Sequence, residues 1–236
     1  MKYPEIMKSL SRYLLAIASV LSVQQALATD VSGTLSSDTT WSASGSPYVV
    51  TGTVLVGEGV KLTVEAGVEV RFGSGTSLQV FGELVAQGTS SSGITFTSTQ
   101  DSKAAGDWGQ IVFYDSSVGA SYDGNGDYAS GSILEYSTVE YGSGIEVKTG
   151  NTFINQSTIR YNSGTGIKST NGARHQISNN IISNNQGGDA GISISGTGYI
   201  TGNTISDNVG EDGGGIEVHY DRYCSLTVTA ARGKER

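Results

Sequence analysis

Cysteine occurs once, at Cys224, and proline twice in 236 residues. A single thiol excludes an internal disulfide, so this chain is held together by packing and hydrogen bonding. Charged residues make up only 15% of the sequence. Disordered chains are richer in charge and proline and poorer in β-branched residues, so the composition points to a folded chain. Basic residues are the scarcer sign, 14 against 22 acidic, for a formal net charge of −8. That balance excludes nucleic acid or an anionic membrane as a partner recruited by bulk charge, and leaves neutral or cationic partners and Ca²⁺ open. Long apolar runs are also missing. The one candidate, Tyr13 to Val23, has 11 residues, against about 20 for a membrane span.

That short run has a specific setting. Lys2, Lys8 and Arg12 precede it, and Ala26-Leu27-Ala28 follows, small at its first and third positions. This is the pattern of a secretory signal peptide over residues 1–28, cleaved after Ala28. The expected location is outside the cell or on its surface, the periplasm included. Cleavage removes three of the 14 basic residues and one of the 22 acidic ones, Glu5, and takes the charge to −10.

What the chain has in abundance is glycine, 34 residues, with many Val, Ile and Thr. Short strands joined by tight turns follow. The second half repeats with a period of about 23 residues. Ile177-Ser-Asn-Asn-Ile-Ile182-Ser-Asn-Asn185 recurs as Ile200-Thr-Gly-Asn-Thr-Ile205-Ser-Asp-Asn208 and, earlier, as Ile154-Asn-Gln-Ser-Thr-Ile159-Arg-Tyr-Asn162. A further copy, Leu134-Glu-Tyr-Ser-Thr-Val139-Glu-Tyr-Gly142, lies 20 residues before that. Three aliphatic columns result: Leu134, Ile154, Ile177, Ile200; Val139, Ile159, Ile182, Ile205; and Ile145, Ile167, Ile192, Ile216. Three short strands cannot bury an apolar face alone, but coils stacked about 4.8 Å apart can. The fold expected is all-β, a right-handed parallel β-helix of seven to eight coils with three short strands per coil. The division expected is a cap over 29–46, the β-helix over 47–218, and an irregular tail over 219–236, a truncated end or an unusual cap, where no further coil is legible.

Two asparagine columns accompany the repeat: Asn162, Asn185, Asn208, with Gly142 ahead of them, and Asn180, Asn203. Asparagine tolerates left-handed backbone at a turn, and stacked asparagines can link amide to amide along the axis. These five residues are read as structural.

Residues 47–113 show the same physics with different spelling. Leu62-Thr-Val-Glu-Ala-Gly-Val-Glu-Val-Arg-Phe72, Leu78-Gln-Val-Phe-Gly-Glu-Leu-Val-Ala-Gln-Gly-Thr89, Ile94-Thr-Phe-Thr-Ser98 and Gly106-Asp-Trp-Gly-Gln-Ile-Val-Phe113, with Trp41 and Ser46-Pro47-Tyr48, carry a resemblance. This stretch resembles the opening coils of secreted bacterial right-handed parallel β-helix proteins of the pectin-lyase-like superfamily. The resemblance covers most of residues 41–218 and implies the fold and export. It says little of activity, because such folds host lyases, hydrolases, epimerases, adhesins and others. For lyases it implies carboxylates holding Ca²⁺ and a basic residue taking a proton, gathered on one outward face.

Three places could supply such chemistry. Asp123, Asn125 and Asp127 alternate as oxygen ligands for calcium would, but Tyr128 stands where an EF-hand loop needs Gly and Leu134 where it needs Glu. Gly187-Gly188-Asp189 and Gly210-Glu211-Asp212-Gly213 place Asp189, Glu211 and Asp212 in equivalent loops of successive coils, as a candidate cation or sugar site. The outward pairs Glu140–Arg160 and Glu146–Lys168 read as ion pairs, with Arg160 the one candidate base. Tyr141 and Tyr161 offer platforms for sugars, or pack on each other. His175 and His219 share no column, so a histidine metal site is not expected. The threonines form no repeated column, which leaves an ice-binding face without support.

The leading expectation is a monomeric secreted or surface β-helix that interacts with glycans or is structural, and is not catalytic. The alternatives are a Ca²⁺-assisted polysaccharide lyase and an adhesin or stalk fragment.

Overall fold

The computed structural model describes residues 27–148, 150–189, 191–211, 213–219 and 226–229. The expected signal peptide lies almost wholly outside them. The described chain winds as a parallel solenoid with three faces, and every pairing between coils is parallel. The chain visits the faces in the order A, B, C.

Face A begins with the first parts of Thr29–Leu35 and Tyr48–Val56. It continues through Glu69–Phe72, Ile94–Ser98, Ser137–Glu140, Thr158–Arg160, Ile181–Ser183 and Thr204–Ser206. Face B takes the second parts of the same two long strands, then Leu78–Val80, Ile111–Phe113, Ile145–Val147, the starts of Ile167–Ser178 and Ile192–Thr201, and Ile216–His219. Face C holds Thr39–Trp41, Lys61–Val64, Glu83–Gln87, Ile133–Glu135, Phe153–Asn155, the ends of Ile167–Ser178 and Ile192–Thr201, and Leu226–Thr229. Among the described residues each face thus has eight strands, in agreement with the expected number of coils.

The aliphatic columns stack as the repeat requires. Val139, Ile159, Ile182 and Ile205 pair in register on face A, and Leu134, Ile154, Ile177 and Ile200 on face C, all with at most 1% of their surface exposed. Burying a side chain of this size contributes about 1.5–3 kcal/mol, so the columns are the main source of cohesion. Outward residues alternate with them.

Residues 29–46, expected as a cap, are the end coil itself, since Thr29–Leu35 and Thr39–Trp41 pair with the next coil. At the other end, Leu226–Thr229 pairs parallel with Gly198–Thr201 and puts Val228 opposite Ile200 in register, so face C has a strand beyond Val218, where a stop was expected. The step from Ile200 to Val228 is longer than 23 residues, which hid it from the periodicity.

The asparagine columns are ladders. Asn162 Nδ2 donates to Asn185 Oδ1 and Asn185 Nδ2 to Asn208 Oδ1, both at 2.9 Å; Asn180 Nδ2 donates to Asn203 Oδ1 at 2.9 Å. Each of these amides also donates to a carbonyl of the preceding coil, as Asn185 does to Ile159 at 3.0 Å. Their turn role needs a correction. The left-handed residues are those just before the ladder asparagines: Tyr161, Asn184 and Asp207 at one corner, Asn179 and Gly202 at the other, with φ between 55° and 66°. The bend turns the next side chain inward, where a buried amide can reach the coils on both sides.

Gly142 heads one ladder for a steric reason. A Cβ there would lie 2.5 Å from the Trp108 ring and 2.7 Å from the Gly109 carbonyl. Trp108 stacks on Phe72 at 4.1 Å and donates its indole N–H to the Glu140 carbonyl.

Candidate functional site

The coil from Phe96 to Val139 departs from the repeat, with the extra residues in two corners. One is 99–110. The other is 114–132, which carries an antiparallel hairpin of Ser121–Tyr122 and Tyr128–Ser130. The hairpin base is tied to the solenoid by Val118 N–H to the Gly82 carbonyl at 2.8 Å and Ala120 N–H to the Asn151 carbonyl at 2.6 Å. Gly131 closes it with φ of 96°, hard against the Gly119 carbonyl, where no Cβ fits.

The hairpin leans over the outer surface of face C. Tyr128 stacks on Phe153 with ring centres 5.8 Å apart and planes 14° apart, and Tyr122 meets the same ring edge-on at 5.9 Å. Tyr128 also donates its hydroxyl to the Gly131 carbonyl at 2.6 Å. Burial raises its pKa to about 12, with Glu83 and Glu135 adding to the rise.

Beneath this wall runs a groove of about 360 Å³. Its floor is one outward row, Gln87, Glu135, Asn155 and Ser178, placed in register by four successive coils. The row is hydrogen-bonded along its length. Gln87 Nε2 donates to Glu135 Oε2 at 3.0 Å, Asn155 Nδ2 to Glu135 Oε1 at 2.7 Å, and Ser178 Oγ to Asn155 Oδ1 at 2.9 Å. Asn179 and Gln176 flank it, and Tyr199, half-exposed, pairs with Gln176 one coil on. A fixed row of amides and a carboxylate beside aromatic rings offers donors, acceptors and an apolar face together.

The calcium candidates divide. Asp123 Oδ1 accepts the backbone N–H groups of Asn125 at 2.8 Å and Asp127 at 3.0 Å. These bonds, the Asp127 one first, hold the Asp123 carboxyl below its ordinary pKa. Asp127 lines the groove instead. The loop is an Asx turn in which Asp123 Oδ1 is engaged by the loop's own backbone.

Arg160, the candidate base, is committed to Glu140. Its Nε lies 3.0 Å and its Nη2 2.9 Å from Glu140 Oε2, and the buried carboxylate also accepts from Thr97 Oγ1. Tyr141 and Tyr161 stack on each other at 5.6 Å, with Lys103 over the first ring and Arg160 over the second. Much of their surface is therefore already engaged.

The pair Glu146–Lys168 is corrected. The two are adjacent in register, but Glu146 Oε2 accepts from Gln110 Nε2 at 2.7 Å, and Lys168 Nζ reaches Asp189 Oδ2 at 2.8 Å. Glu211 lies in the loop stacked on that of Asp189, its N–H bonded to the Gly188 carbonyl, and its residue is exposed. Asp212 lies outside the described residues, as does the side chain of His175.

Residues 110–230 match the family described as "Right handed beta helix region", and residues 33–168 match "Pectate-lyase like beta helix domain". The chain belongs to the right-handed, pectate-lyase-like β-helix family. No curated protein and no solved structure matches this β-helix protein. Among the described residues of the β-helix, no helix is long and apolar enough to cross a membrane.

Proposed function

We propose that this protein is a secreted or cell-surface β-helix that binds a polysaccharide in the face C groove as a monomer and does not cleave it. The groove is the observation that carries the reading. Its polar row runs along the solenoid axis, so a linear polymer laid on it meets equivalent groups in successive coils. Tyr128, Phe153 and Tyr199 supply aromatic surface beside that path. The commitment of Arg160 to Glu140 weighs against the lyase alternative. Export rests on the N-terminal pattern alone.

Calorimetric titration of the protein against neutral and acidic polysaccharides, with and without Ca²⁺, tests this. The expected result is saturable binding by at least one polymer, reduced about tenfold by Tyr199→Ala, with no product released. Unsaturated products would overturn the non-catalytic part, and a screen with no binding would favour a structural stalk. Fusing residues 1–28 to a reporter tests export.

A further inference from the structure

Asp189, Glu217 and His219 meet on the outer surface of face B, away from the groove. They come from two coils. Glu217 and His219 alternate on Ile216–His219, so both side chains point outward, and Glu217 pairs in register with Ser193 of the coil before. Asp189 sits in the A–B corner of that earlier coil, where its N–H donates to Thr165 Oγ1 at 3.0 Å. The three residues offer ligand atoms that all lie within 4.8 Å of one another. Two further facts bear on the cluster. Glu217 Oε1 lies 3.4 Å from His219 Nε2, while its Oε2 is shut off from solvent with no hydrogen-bond partner, which is costly for a carboxylate oxygen. Ser193 Oγ stands 3.2 Å from His219 Nε2 and adds an oxygen to the cluster.

We propose that Asp189, Glu217 and His219 form a binding site for a borderline divalent cation of the Zn²⁺ class. One imidazole and two carboxylates are the donor mix such ions take, whereas Ca²⁺ and Mg²⁺ prefer oxygen alone. Zinc bonds of about 2 Å put tetrahedral ligands roughly 3.3 Å apart, so the three donors need to close by about 1.5 Å at most. His219 is half-exposed, and the movement rearranges its contacts to Ser193 and Glu217. The nearest competitor is Lys168, whose ammonium bonds Asp189 and holds its carboxyl below the usual pKa. Lys168 is itself partly exposed and can swing into water. The bound ion would staple the Ile216–His219 strand to the coil before it.

Calorimetry with Zn²⁺ on the full chain, free of any histidine tag and treated with chelator, decides the matter. The expected result is one ion per chain, weakened at least tenfold in His219→Ala and in Glu217→Gln, and tightened in Lys168→Met, where the competing charge is gone. Circular dichroism checks that each variant is folded. Absence of stoichiometric Zn²⁺ binding, equal affinity in His219→Ala, or equal binding of Ca²⁺ would each overturn the proposal. Unchanged affinity in Lys168→Met would overturn the role given to Lys168.

Discussion

Asn162 and Asn185 are 23 residues apart, and the Asn162 side-chain amide donates a hydrogen bond of 2.9 Å to Asn185 Oδ1 inside the solenoid. Asn185 is the central rung: its Oδ1 accepts from the Asn162 backbone and side chain, and its own amide reaches Asn208 and the Ile159 carbonyl. Removing it leaves several buried polar groups without partners, at about 1–3 kcal/mol each when wholly unsatisfied. Asn185→Leu is expected to lower stability by roughly 3–5 kcal/mol in urea unfolding. Asn208→Leu, at the end of the ladder, is expected to cost less.

Gly142→Ala tests the packing of Trp108. The added methyl has no room between the indole and the Gly109 carbonyl. The expected loss is about 1–3 kcal/mol, the range for overpacking. A shift in tryptophan fluorescence should accompany it. An unchanged melting temperature would show that Trp108 yields freely.

Arg160 and Glu140 should behave as a coupled pair. Arg160→Met leaves a mostly buried carboxylate with Thr97 as its remaining partner. About 1–3 kcal/mol is expected from losing a charged partner. Arg160→Met combined with Glu140→Gln should recover part of that loss, and the double-mutant cycle measures the coupling. Equal losses in the single and double variants would count against the pairing.

Tyr128 carries the pH dependence. Its folded pKa of about 12 lies above its ordinary value of 10.0. The folded state therefore holds this proton more tightly than the unfolded state. The stabilisation is fully present below pH 10 and is lost as pH rises from 10 to about 12. Spectrophotometric titration should show one late-ionising tyrosine that is missing in Tyr128→Phe.

The hairpin can be tested as a unit. Replacing residues 121–130 by a short Gly-Ser link leaves the anchors Val118 and Ala120 in place. The solenoid should keep its far-ultraviolet circular dichroism, and any polysaccharide binding should fall at least tenfold. Binding that survives the excision would move the site away from the groove.

The amino-acid sequence alone determined the inward side of this protein. Leu134, Ile154, Ile177 and Ile200 fall at regular intervals because each must sit on its equivalent in the next coil, and the asparagine ladders obey the same constraint. A period is visible in one dimension, so the coils, their faces and their buried columns were legible before any coordinates. The outward side obeys no such period. The row Gln87, Glu135, Asn155, Ser178 crosses the enlarged coil, where counting residues loses the register, and only parallel pairing restores it. Lys168 was adjacent to Glu146 by register, yet a long flexible side chain goes to the carboxylate that a corner loop brings within reach, and that was Asp189. His219 shared no column with His175, but its neighbours Glu217 and Asp189 came from its own strand and from a corner loop of the coil before. Tertiary structure decided these contacts because corners and side-chain reach, which the repeat leaves free, set them.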